Sequence, residues 1–168
     1  MKRTGLIALL AVLGCTGQDV GAAEIRAART PAAQRCDRAQ LARALTVDTT
    51  RLRRTEWEGP SEESSEGESV TFFTQGGTPR LVVVTAFGEM GRAEERYFLT
   101  TPQSFVVRRE EVRYAEPIYS GEPRVVSRDR EEAYVCDGRA LPPATELGTD
   151  APQRLRTILT RLSSATGE

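Results

Sequence analysis

An α+β fold is expected of this chain: an antiparallel β-meander of about five or six strands, with an N-terminal and a C-terminal helix packed on it. Three observations predict it. Between Ser69 and Tyr114 the sequence is a succession of segments rich in β-branched and aromatic residues. The links between those segments are short and turn-forming, leaving no room for a crossover helix, so neighbouring strands must run antiparallel. Helical spacing of apolar residues is found on either side of this stretch, near Leu41 and near Leu155.

Ahead of the fold, Lys2 and Arg3 precede "LIALLAVLG" (Leu6–Gly14), an apolar run shorter than the roughly 20 residues that cross a bilayer. Residues 1–23 therefore read as a secretory signal. Two cuts are available. "VLGC" (Val12–Cys15) resembles a bacterial lipobox, which would lipidate Cys15, and "VGAAE" (Val20–Glu24) offers an ordinary cleavage site near Ala22 and Ala23. The protein is then exported, as an outer-membrane or periplasmic lipoprotein or as a soluble periplasmic or secreted protein. Residues 24–168 read as a single domain with enough chain for a core of its own.

Within that domain "TPAAQRCDRAQLARAL" (Thr30–Leu45) has helical character, with Thr30 as cap and Pro31 at the first helical position. "TRLRRTEW" (Thr50–Trp57) has strand composition but a poorly defined face. "EGPSEESSEGES" (Glu58–Ser69) is too poor in apolar residues to offset its ordering entropy and is expected to be a mobile acidic loop. Four strands follow: Ser69–Gln75, Pro79–Gly88, Arg92–Thr100 and Ser104–Tyr114. "LVVV" (Leu81–Val84) suits a strand covered on both faces. "RAEERYFLT" alternates, with Glu95, Tyr97 and Leu99 on one side and Arg96 and Phe98 on the other. A long connection from Ala115 to Arg130 leads to a strand near Glu131–Gly138, and Asp137-Gly138 marks a tight turn into a short strand at Arg139–Leu141. "DAPQRLRTILTRL" (Asp150–Leu162) places Leu155, Ile158, Leu159 and Leu162 at helical spacing, with Asp150 as cap.

Composition narrows function. Removing Lys2, Arg3 and Asp19 from 23 basic and 24 acidic residues leaves 21 against 23. A near-neutral domain has no electrostatic footprint for nucleic acid. The chain contains no histidine, which removes the usual base of Ser-His and Cys-His nucleophiles and histidine zinc sites. No metal or cofactor is expected. Cys36 and Cys136, alone after the signal, are expected to form a disulfide in an oxidising compartment.

The stretch from Glu68 to Leu141 resembles a family of small bacterial exported proteins and lipoproteins. The resemblance rests on "VTFFTQGGTPRLVVVTAFGEMGRAEERYFL", "VRYAEPIY" and "EEAYVCDGRAL". It implies an exported antiparallel meander and no particular activity. Tyr114, Pro117, Ile118 and Tyr119 fit its Tyr-x-x-Pro-Ile-Tyr segment, whereas Val135-Cys136 replaces its closing aromatic pair. "YVCDG" (Tyr134–Gly138) is similar to an element of bacterial lysozyme inhibitors, where it sits early in the chain instead of late.

The reading that follows is a non-catalytic cell-envelope protein. It would bind another envelope protein or peptidoglycan, with Tyr114, Pro117, Ile118, Tyr119 and Arg124 as the contact residues. The membrane is reached only through a lipid on Cys15. Two alternatives stand beside it: an inhibitor of a foreign hydrolase such as lysozyme, and a hydrolase using paired carboxylates. Glu110 and Glu111 are adjacent on a strand and point to opposite faces, so the pair for such a hydrolase is Glu95 with Glu111 or Glu132.

Overall fold

The computed structural model describes residues 36–59, 64 and 66–165. Seven antiparallel strands lie side by side in sequence order: β1 (Arg53–Gly59), β2 (Glu68–Gln75), β3 (Thr78–Gly88), β4 (Gly91–Thr101), β5 (Ser104–Tyr114), β6 (Val125–Cys136) and β7 (Arg139–Ala140). Helix α1 (Arg38–Ala42) precedes the sheet and helix α2 (Glu146–Ala165) follows it. The α+β meander is thus the fold, with the short outer strands raising the count to seven. The signal, Cys15 and the helix start at Thr30 and Pro31 lie outside the described residues.

Turn chemistry sets the register. Gln75 pairs with Thr78, and Gly76 and Gly77 between them stand at φ 57° and 82°. That is the pair of left-handed conformations a two-residue type I′ turn requires, and its twist matches the strands it joins. Asp137 and Gly138 repeat the device between β6 and β7, at φ 49° and 75°.

The sheet has two faces with different covers. On one, Val82, Val84, Tyr97, Leu99, Phe105 and Val107 are buried against Leu147, Ala151, Leu155 and Ile158 of α2. On the other, Leu81, Phe98 and Val106 are buried beneath Leu41, with Ala44 and Leu45 of the 3₁₀ turn after α1 packed alongside. Leu81–Val84 is therefore covered on both sides, as its unbroken apolar run predicts.

Among the described residues each helix starts at a local cap, and for the second this lies earlier than expected. Asp37 Oδ1 accepts from the Gln40 N–H at 2.7 Å, so α1 starts at Arg38 and Cys36 lies ahead of it. Thr145 Oγ1 accepts from the Gly148 N–H at 3.3 Å, which starts α2 at Glu146 and leaves Asp150 and Pro152 inside the helix. Gly148 also sits close against the sheet. A Cβ there would stand 3.0 Å from the Ala133 Cβ and 3.3 Å from the Ala140 Cβ.

Two strand boundaries also differ. β1 runs to Gly59 and β2 starts at Glu68, so the ends of the Glu58–Ser69 stretch are strand; residues 60–63 and 65 lie outside the described residues. Within that link the Ser64 hydroxyl lies within hydrogen-bond reach of the carbonyls of Gly67 (2.7 Å) and Phe87, and its single proton serves one of them at a time. β6 begins at Val125, six residues earlier than expected. Its charged first half pairs with charges on β5: Glu132 opposite Arg108, Glu131 opposite Arg109 and Arg130 opposite Glu110.

Cys36 and Cys136 lie at disulfide distance, with Cα atoms 5.9 Å apart at a sequence separation of 100. A bridge there ties the approach to α1 to the end of β6. Closing so long a loop restricts the unfolded chain by about 4–5 kcal/mol. Replacing both cysteines by serine is expected to lower stability in chemical denaturation by up to about 4 kcal/mol, and reduction to expose two thiols that were blocked before. Gly148→Val forces the helix off the sheet and is expected to cost about 2–3 kcal/mol in the same assay.

Candidate functional site

Register defines the surface that the helices leave open. Four rows of side chains cross β3 to β6 on the α1 face. Nearest α1 stands the apolar row Leu81, Phe98, Val106 and Tyr134. Next come Val83, Arg96, Arg108 and Glu132, then Thr85, Glu94, Glu110 and Arg130. The outermost row is Phe87, Arg92, Val112 and Arg128. Cover by α1 and its following turn reaches the first of these rows and Val83 at the β3 end of the second. Beyond it lies a groove of about 700 Å³ walled by five arginines and three glutamates of this face.

The ion pairs in the groove are local. Arg96 reaches Glu94 at 2.6 Å and Arg108 binds Glu132. Glu110 is shared by Arg128 at 3.0 Å and Arg130 at 2.7 Å. The hydrogen bond from Arg130, with the charges of Arg128 and Arg92, holds the Glu110 carboxyl below the usual glutamate value. Burial alone would raise Glu132, but hydrogen bonds from Tyr134 and Arg108 outweigh it and lower that carboxyl too. Like charges stand directly opposite in two places, Arg96 against Arg108 and Glu94 against Glu110, an arrangement that weakens the β4–β5 pairing.

Past the outermost row the sheet ends in an apolar tip. The exposed large apolar side chains among the described residues are Phe87, Met90, Ile118, Tyr119, Val125 and Val126. They come from the end of β3 and the turn after it, a 3₁₀ turn at Ile118–Ser120 and the start of β6. Main-chain bonds fasten these pieces together. Tyr114 N–H donates to Met90 O (2.8 Å), Ile118 N–H to Glu89 O (3.0 Å) and Ala115 N–H to Arg124 O (2.9 Å). All five contact residues expected from sequence fall at this end, in different settings. Tyr114 and Pro117 are half-buried, Ile118 and Arg124 are exposed, and Tyr119 is 75% exposed with its hydroxyl donated to Glu89. That bond raises the phenol above the ordinary tyrosine value.

The α2 face holds a second polar cluster, which sequence reading missed. Glu95 is buried. Its Oε2 accepts from Tyr97 OH at 2.5 Å, and its Oε1 is paired with Arg154 of α2 and lies 3.8 Å from Arg109. Two helical turns on, Arg161 pairs with Glu68 at 3.5 Å and lies over the Trp57 ring. The signal was legible: Arg154 and Arg161 share the stripe of Leu155, Ile158 and Leu162, and an arginine on a buried stripe needs an acid opposite it. Glu111 shares this face with Glu95, whereas Glu132 faces the other way, beside Arg108, so Glu95 and Glu132 do not converge. Adjacent Glu110 and Glu111 point to opposite faces, as expected.

No family model, curated protein or solved structure matches the chain.

Arg154→Met removes the principal partner of a buried carboxylate, and breaking one side of such a pair costs about 3–5 kcal/mol. With Tyr97 and Arg109 still at hand, the expected loss is near the lower end, about 3 kcal/mol by urea denaturation. Glu95→Gln combined with Arg154→Met should cost less than the two single changes added together.

Proposed function

We propose that this is a non-catalytic protein of the bacterial cell envelope that binds another envelope macromolecule through the open end of its sheet. Export follows from the N-terminal segment. The protein is either tethered through a lipid on Cys15 or released by a cut near Ala22 and Ala23. The resemblance to small bacterial exported proteins and lipoproteins agrees with that location.

One observation carries the binding reading. The exposed large apolar side chains gather at the tip where Tyr119 stands, next to the groove of arginines and glutamates. Apolar residues scattered singly over a surface need no explanation, whereas a cluster rimmed by charge marks an interaction site. Tyrosine and arginine, the residue types that anchor interfaces, are both present there.

The alternatives have less beneath them. Glu95 is engaged by two arginines and a tyrosine hydroxyl beneath α2, and Glu132 is held in its ionised form, unlike a carboxylic acid kept protonated for general-acid work. The Tyr134–Gly138 element sits at the covered end, with Arg38 over the Tyr134 ring at 4.8 Å, away from the exposed tip.

A photo-crosslinking amino acid placed at Tyr119 in the native host tests the proposal. A discrete adduct is expected from position 119 and not from Arg156, an exposed position on α2. Identical adducts from both positions, or none from either, would sink it.

A further inference from the structure

The outer edge of β6 is the longest unpaired strand edge among the described residues. β6 runs from Val125 to Cys136, but on its outer side β7 pairs only with Val135 and Cys136, and Leu141 N–H adds one bond to Tyr134 O. From Val125 to Ala133 the edge presents alternate N–H and C=O groups, and among the described residues no strand lies beside them. Such an edge is a template for another chain.

We infer that this edge receives an extended segment of a partner protein as an added antiparallel strand, read out by charge. The inference rests on the binding function proposed above and names the form and chemistry of the partner.

A second copy of the chain is a poor occupant, and the reason is symmetry. Two β6 edges pairing about a two-fold axis keep their faces in register, so the axis must pass through a residue that then meets itself. Every residue from Arg128 to Glu132 is charged. Each register centred there sets a charge against its own kind, which destabilises the pair. The same charges select a different strand. Arg128 and Arg130 lie on the groove face, so acids belong opposite them, while Asp129, Glu131 and Glu132 call for bases.

The inner edge already shows what the strand accepts. β5 places Arg108, Arg109 and Glu110 opposite Glu132, Glu131 and Arg130, three opposite-sign pairs, and departs from the rule only where Glu111 meets Asp129. Read in its own direction, the complementary strand is Arg-Arg-Glu-Arg-Glu. On the groove face its acids would engage the arginines that now share Glu110. Where the edge begins, Val125 and Val126 are 44% and 53% exposed and offer apolar contact for a flanking residue.

The test uses the intact chain and two synthetic peptides, Thr-Val-Arg-Arg-Glu-Arg-Glu-Val-Thr and its sign-reversed counterpart with Glu-Glu-Arg-Glu-Arg at the centre. Amide hydrogen exchange is followed along β6. The matched peptide is expected to slow exchange at alternate amides between Val126 and Ala133, and to bind about tenfold more tightly than the reversed one, the ratio that several cross-strand pairs of this size supply. Equal binding of both peptides, protection by neither, or a dimer in sedimentation with the same amides protected would overturn the inference. Crosslinking from position 119 probes the existence of a partner independently, so failure of one experiment does not imply failure of the other.

Discussion

The seating of α2 across the sheet is the interaction on which the other features depend. A meander of seven strands has one long apolar face and cannot hold it in water unaided. α2 starts over β6 and β7, where Gly148 lets the backbone settle onto Ala133 and Ala140, and ends near β1 and β2 at Trp57 and Glu68. Its apolar residues bury Val70 and Phe72 at one end and Val135 at the other. Arg154 and Arg161 fix its rotation by pairing with acids from two different strands. With that face closed, the other face needs only a short cover, and α1 with its following turn supplies it at one end. The charged half is left open.

Much of this was legible in the residues. Gly76-Gly77 and Asp137-Gly138 could be read as turns because left-handed backbone has few occupants. Glu95, Tyr97 and Leu99 could be assigned to one face by alternation alone. What escaped has physical causes. The charged run from Ser127 to Glu132 has little intrinsic strand character. It becomes strand because β5 lies beside it and presents charges of opposite sign to Arg130, Glu131 and Glu132, which is a non-local fact. The start of α2 depended on whether Thr145 or Asp150 caps it, and packing of Leu147 and Gly148 against the sheet decides in favour of the earlier residue. The Glu95 cluster needed both strand parity and helix rotation before its members could be brought together. For the candidate site, the segment from Tyr114 to Arg124 was readable as exposed turn chemistry. Its neighbours Phe87, Met90 and Val126 were not, because three separate stretches of chain meet there.

The two faces use one motif in different surroundings: a glutamate shared by two arginines. On the α2 face Glu95 lies between Arg154 and Arg109 with a tyrosine hydroxyl completing its shell. Burial there makes the loss of any partner expensive, so the cluster holds the helix in place. On the open face Glu110 lies between Arg128 and Arg130 in contact with solvent. Exposed pairs of that kind contribute little to stability, because water competes for both ions and long side chains must be ordered to meet. Arginines held so lightly can exchange Glu110 for a carboxylate on another molecule at small cost. The same bonding pattern therefore serves as a fastening under the helix and as an exchangeable contact beyond it. Burial separates the two roles: α2 covers Glu95, and the short reach of α1 leaves Glu110 open.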